Sequence, residues 1–111
     1  MSDELPLREK QSLFAILVSR LIQEAYKRGY EITLGEAWRS EAEAERRGFK
    51  NSLHRKRLAI DLNLFRDGVY LKNSEDHKPL GQWWEAQHEL CRWGGRFGDG
   101  NHYSVTHGGV Q

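Results

Sequence analysis

The ten residues SLHRKRLAID, Ser52 to Asp61, set a histidine seven positions ahead of an aspartate that interrupts an apolar run. Aspartate is disfavoured in a strand unless its face is wet or it has a partner. Two partners are on offer. His54 precedes the apolar run in an irregular stretch and could fold back beside Asp61, and His102, in a short segment late in the chain, could occupy the neighbouring strand position. Two imidazoles and one carboxylate form a ligand set suited to catalytic zinc, which takes three protein ligands and keeps a fourth position for water. In such a site zinc acidifies its water and polarises a carbonyl, while a nearby carboxylate takes the proton. Asp99, three residues before His102 in the glycine-rich GGRFGDG, is placed to be that base.

Plainer readings exist for each residue: a strand with one wet face for Asp61, an Asp-Gly turn for Asp99, a strand histidine beside Tyr103 for His102. Five histidines leave several ways to choose two. The other three are read as having no part in the site: His77 in a charged loop, His88 on a helix and His107 near the terminus.

The elements that must position these groups are legible as periodicities. Leu13, Phe14, Leu17, Val18, Leu21, Ile22 and Ala25 recur at three- and four-residue intervals, which predicts a core-facing helix over roughly 10 to 28, closed by Gly29. Ile32 and Leu34 alternate with polar residues in a short strand, and Ser40 with Glu43 forms a capping box for a helix near 41 to 47, so Arg39 sits at a strand-to-helix junction. From Leu58 to Phe65 the alternation puts Leu58, Ile60, Leu62 and Leu64 on the core face and Asp61 on the other. Asp67-Gly68 supplies a hairpin turn into Val69, Tyr70 and Leu71. Pro79 is expected in the first turn of a helix carrying Trp83, Trp84, Leu90, Cys91 and Trp93 on one wide apolar face, with Cys91 a small buried hydrophobe. A final strand follows at Asn101 to Val105. The order predicts a single α+β domain over residues 1–111, a small antiparallel sheet packed with helices.

Composition bounds the partners. Hydrophobic residues at 38% and charged residues at 30% describe a globular chain, and the lone Cys91 excludes an internal disulfide. A net charge of +1 supplies no global field toward nucleic acid or an anionic surface. The charge is uneven, since Arg46 to Arg57 holds six Lys or Arg and no acid, which is either a phosphate-binding stripe or a solvated helix end and loop. Neither a signal peptide nor a membrane span is read.

Ser52-x-His54, Ala59-x-Asp61 and Asp99-x-x-His102 after the Trp93-Gly94-Gly95 turn resemble the zinc signature of the M15 peptidases, the group of D-alanyl-D-alanine carboxypeptidases and phage endolysin L-alanyl-D-glutamate peptidases. The resemblance runs from about Trp38 to Tyr103 and takes in Arg39, which matches the arginine that precedes a helix in that family. It departs at Arg57, where many members have glycine, and at Glu43 or Ala44, where a glutamine often stands. It implies the hedgehog-like, DD-peptidase-like α+β fold, Zn2+ held by His54, Asp61 and His102, Asp99 as general base, and Arg39 on the substrate or oxyanion. It also implies hydrolysis of an amide bond in the stem peptides of bacterial peptidoglycan. A phage or prophage lysis enzyme of this kind would be made in the cytoplasm, act as a monomer and reach the wall through a separate pore. Two rival readings are a metal-dependent nuclease using the basic stretch, and a non-catalytic binding module built on a structural zinc.

Overall fold

The computed structural model describes residues 5–35, 53 and 56–107. Arg39, His54, the helix expected near 41 to 47 and most of the basic stretch lie outside the described residues.

Helix α1 (Leu7–Lys27) buries Phe14, Leu17, Val18, Leu21 and Ala25, the stripe that the periodicity marks. It begins at Leu7, directly after Pro6, whose φ of −59° suits a helix entry. It ends where Gly29 adopts a φ of 90°, with Tyr30 N–H donating to Ala25 O at 3.0 Å. The chain then enters β1 (Glu31–Leu34), the strand expected at Ile32 and Leu34.

Strand β2 (Ala59–Arg66) organises the sheet. Its Ile60, Leu62 and Leu64 are buried while Asp61, Asn63 and Phe65 are half-buried on the other face, as the alternation predicts. Strand β1 pairs along 62–65 on one edge. The other edge is shared: β3 (Val69–Leu71) pairs at 64–66 and β5 (His102–Val105) at 59–61. Between them Leu62 N–H donates to Asn101 O at 2.9 Å, so the loop before β5 enters the sheet at that gap. Asp67 and Gly68 take φ of 53° and 78° and turn β2 into β3, the hairpin their sequence implies. Strand β4 (Cys91–Trp93) completes an antiparallel five-stranded sheet by pairing with β5.

Helix α2 (Ser74–Gln87) departs from expectation at both ends. It starts at Ser74 rather than at Pro79 because Asn73 and Asp76 cap it: Asn73 N–H donates to Asp76 Oδ2 at 3.1 Å, and Asp76 N–H to Asn73 O at 3.0 Å. Pro79 lies inside the helix. The helix stops before His88, whose backbone is extended (φ −160°, ψ 151°) and whose Nδ1 accepts from Leu90 N–H at 3.1 Å. Leu90, Cys91 and Trp93 therefore lie beyond the helix, the last two on the core face of β4 with Arg92 between them. His88 caps the helix end instead of riding on it. His77 is not in a loop but on α2, 3% exposed.

Trp84 joins the layers. Its ring meets Phe14 of α1 and Tyr103 of β5 edge-on, with centroids 6.0 and 6.1 Å apart. Its indole N–H reaches Ser104 O at 3.1 Å, so the polar atom of this fully buried side chain is satisfied. Cys91 is buried as expected, and desolvation pushes its thiol pKa up to about 12, which leaves it an inert small hydrophobe.

Candidate active site

Antiparallel pairing sets Asp61 directly opposite His102, on the face of β2 and β5 turned away from the core. Directly opposed residues on one face bring their side chains together, and here His102 Nδ1 lies 3.4 Å from Asp61 Oδ1, with the two side chains 15% and 23% exposed. The distance exceeds the ~2.7–2.9 Å of a charge-assisted hydrogen bond. It falls at the edge length of a tetrahedron whose centre sits ~2.0–2.1 Å from each ligand atom, about 3.3–3.4 Å. A carboxylate oxygen and an imidazole nitrogen at that spacing fit two corners of a zinc site. Among the described residues no group of three metal-ligating side chains forms; the third expected ligand, His54, is outside them. Its neighbour Leu53 is buried, and Leu53 O accepts from Leu58 N–H at 2.8 Å, one residue before β2.

Asp99 lies on the loop Gly94–Asn101 that leads into His102. The loop opens with a short 3₁₀ turn (Gly94–Phe97) and is tied at every step: Asp99 N–H to Gly94 O at 2.9 Å, His102 N–H to Asp99 O at 3.1 Å, the Trp93 indole N–H to Gly100 O at 2.6 Å and Gly100 N–H to Ser74 Oγ at 3.0 Å. The backbone under Asp99 is thus fixed while its side chain is exposed. Among the described residues its carboxylate has no hydrogen bond or ion pair.

Two glycines make this geometry possible, a role that sequence reading did not assign. A Cβ on Gly94 would lie 2.3 Å from Asp99 O and 2.8 Å from His102 Cβ. A Cβ on Gly35 would lie 2.8 Å from Asp61 O, which accepts from Gly35 N–H at 2.7 Å. The signal was present in the sequence as glycine density, but the partners are set only by the fold. Arg57, which stands where the resembled family often has glycine, has φ of 59°, the left-handed region that glycine enters freely.

The remaining histidines are placed elsewhere. His77 Nδ1 lies 2.9 Å from the Tyr103 hydroxyl on the core side of β5, and desolvation lowers its pKa to about 4. His107 follows β5 at its far end, 3.3 Å from the ammonium of the buried Lys10, which donates to Thr106 O at 3.2 Å. Ser104, on the same face as His102, is buried, and its Oγ has no hydrogen-bond partner among the described residues.

No helix among the described residues is long and apolar enough to cross a membrane. No family model matches the sequence, and no curated protein matches it. Among solved structures, the crystal structure of the Serratia marcescens L-Ala D-Glu endopeptidase ChiX superposes with a TM-score of 0.64 at 24% identity, over 83% of this chain and 79% of that one. The two chains share one α+β fold, a small antiparallel sheet packed with helices.

Proposed function

We propose that this protein is a zinc-dependent peptidase of the M15 type that hydrolyses an amide bond in the stem peptides of bacterial peptidoglycan. The observation that carries the reading is the cross-strand pair Asp61–His102, 3.4 Å apart, with Asp99 on the anchored turn that leads into His102. Sharing a fold with a structure named as an L-Ala D-Glu endopeptidase supports it.

Asp61 and His102 hold the metal, and His54 is the third ligand. Zinc bound there supplies a Lewis acid for the scissile carbonyl and for the attacking water. Asp99 accepts the proton of that water and returns it to the leaving amine, a task for a carboxylate that is exposed but fixed in position. Arg39 meets the developing oxyanion or a substrate carboxylate with a guanidinium that stays charged. The reading extends to a phage or prophage lysis enzyme, monomeric, made in the cytoplasm and passed to the wall by a separate pore.

The test is digestion of purified peptidoglycan with zinc-loaded protein, followed by mass spectrometry of the fragments and their new termini. New amines that vanish on chelation and return with zinc are expected. Absence of any released fragment with zinc present would leave the non-catalytic binding module in its place.

A further inference from the structure

The edge of β2 that β3 and β5 share is interrupted by the loop before β5, and a pocket of about 170 Å³ lies between that loop, the end of β3 and the start of α2. Its walls are Tyr70 and Lys72 at the end of the hairpin, Ser74 and His77 on the first turns of α2, and Asp99 and Asn101 on the loop before β5. The candidate base Asp99 lines this pocket, and its backbone is bonded to that of His102, so a substrate whose scissile bond reaches Asp99 extends into it.

The lining is predominantly polar and its groups have uncommitted valences. Ser74 Oγ spends a lone pair on Gly100 N–H at 3.0 Å, which leaves its proton to donate. His77 is buried and held neutral, with Nδ1 engaged by Tyr103, so it contributes no charge. Lys72 is the one cation in the lining, exposed and without an ion pair or hydrogen bond among the described residues. Asp99 supplies the opposing charge and repels any anion that Lys72 does not hold.

We infer that this pocket is a subsite for a carboxylate-bearing arm of the substrate, with the Lys72 ammonium as its counter-charge and the Ser74 hydroxyl as a donor. It deepens the peptidase reading and rests on it for the identity of the substrate, since stem peptides carry free carboxylates beside their amide bonds. Selectivity follows from the two charges. With Lys72 present, a free carboxylate is preferred to its amide. Without it, Asp99 alone faces the arm and the preference disappears or reverses.

The experiment compares two synthetic stem peptides, one with its carboxylates free and one with them amidated, by tryptophan-fluorescence binding and by cleavage, on the zinc-loaded wild type and on Lys72→Ala and Lys72→Arg. The expected result is tighter binding of the free-acid peptide by wild type, on the order of 5- to 10-fold, as befits a charge-assisted hydrogen bond. Lys72→Ala should lose that preference and Lys72→Arg should keep it. All three proteins should melt alike, since Lys72 is exposed. Equal binding of the two peptides by wild type, no binding of either, or a preference undiminished in Lys72→Ala would overturn the subsite. Lys72-dependent preference in binding without cleavage of either peptide would uphold the subsite and sink the peptidase reading instead.

Discussion

Strand β5 places two adjacent residues, His102 and Tyr103, on opposite sides of the sheet, and each meets a titratable partner. On the open side His102 faces Asp61 at 3.4 Å, an imidazole and a carboxylate in a half-buried setting. On the core side Tyr103 faces His77 at 2.9 Å, where burial lowers the imidazole pKa to about 4 and pushes the phenol up, so both are neutral. Burial with a hydroxyl partner makes His77 a structural group. His102 is instead half-buried beside a carboxylate on the opposite side of the sheet. The residue type is the same; the side of one strand decides its use.

That division is tested first on the open side, where effects on rate should be largest. Asp99→Asn keeps the shape of the side chain and the loop's backbone hydrogen bonds but cannot accept a proton. If the proposed zinc peptidase reading holds, turnover should fall ~10²–10⁴-fold, mainly in kcat, with bound zinc retained. A variant that retains zinc and still cuts peptidoglycan near the wild-type rate would return Asp99 to the status of a turn residue. Gly94→Ala should cost less. Its Cβ would meet Asp99 O at 2.3 Å and His102 Cβ at 2.8 Å, so the turn must shift. Displacing a catalytic group by about an ångström costs up to ~10²-fold, and the strain should lower stability by about 1–3 kcal/mol. Unchanged activity and melting in Gly94→Ala would show that the turn absorbs a methyl group freely.

The two sides also differed in how much the sequence disclosed. Alternation along Leu58 to Phe65 assigns Asp61 to the outer face before any fold is known, and the partnership with His102 follows from a guess at strand neighbours that the register bears out. The core side was opaque. His77 sits among Glu75, Asp76 and Lys78, a charged run that reads as a loop when Pro79 is taken as the helix start, whereas Asn73 and Asp76 cap α2 ahead of it. Trp83, Trp84, Leu90, Cys91 and Trp93 satisfy a helical spacing as well as they satisfy a helix followed by a strand. Only pairing of Cys91–Trp93 with β5 separates the two, and that is a tertiary fact. The contact of Lys72 with the pocket beside Asp99 was equally hidden, since it depends on β3 and β5 sharing one edge of β2. Arg39 and His54 lie outside the described residues, and their roles stand as proposed.

On the core side the expected losses are of stability, not rate. Tyr103→Phe removes the hydroxyl that meets His77 Nδ1 and leaves a buried ring nitrogen without that partner. Such a deletion costs about 1–2 kcal/mol. Chemical denaturation should read this loss, while zinc content and turnover stay at wild-type levels. A large fall in turnover with stability unchanged would mean that the core side reaches into the chemistry, and the division between the two faces of β5 would fail.

The pH dependence is the test most specific to the comparison. His77 has its pKa lowered from the usual 6.5 of an imidazole to about 4, chiefly by desolvation, with the Asp76 charge opposing. A histidine held neutral in the fold takes up a proton more readily when unfolded, so between about pH 6.5 and pH 4 the unfolded chain binds more protons at this site than the folded one. Its contribution to stability is therefore complete above pH 6.5 and is lost progressively as the pH falls toward 4. His77→Gln keeps a polar group within reach of Tyr103 and has nothing to titrate. Denaturation midpoints of wild type and variant, measured from pH 7.5 to pH 4, should differ by a constant amount above pH 6.5, and below it the wild type should lose stability relative to the variant. Carboxylates that titrate in the same range are common to both proteins and cancel in the difference. A difference independent of pH across the whole range would show that His77 binds its proton as readily in the fold as out of it, and that the core side of β5 holds a charge after all.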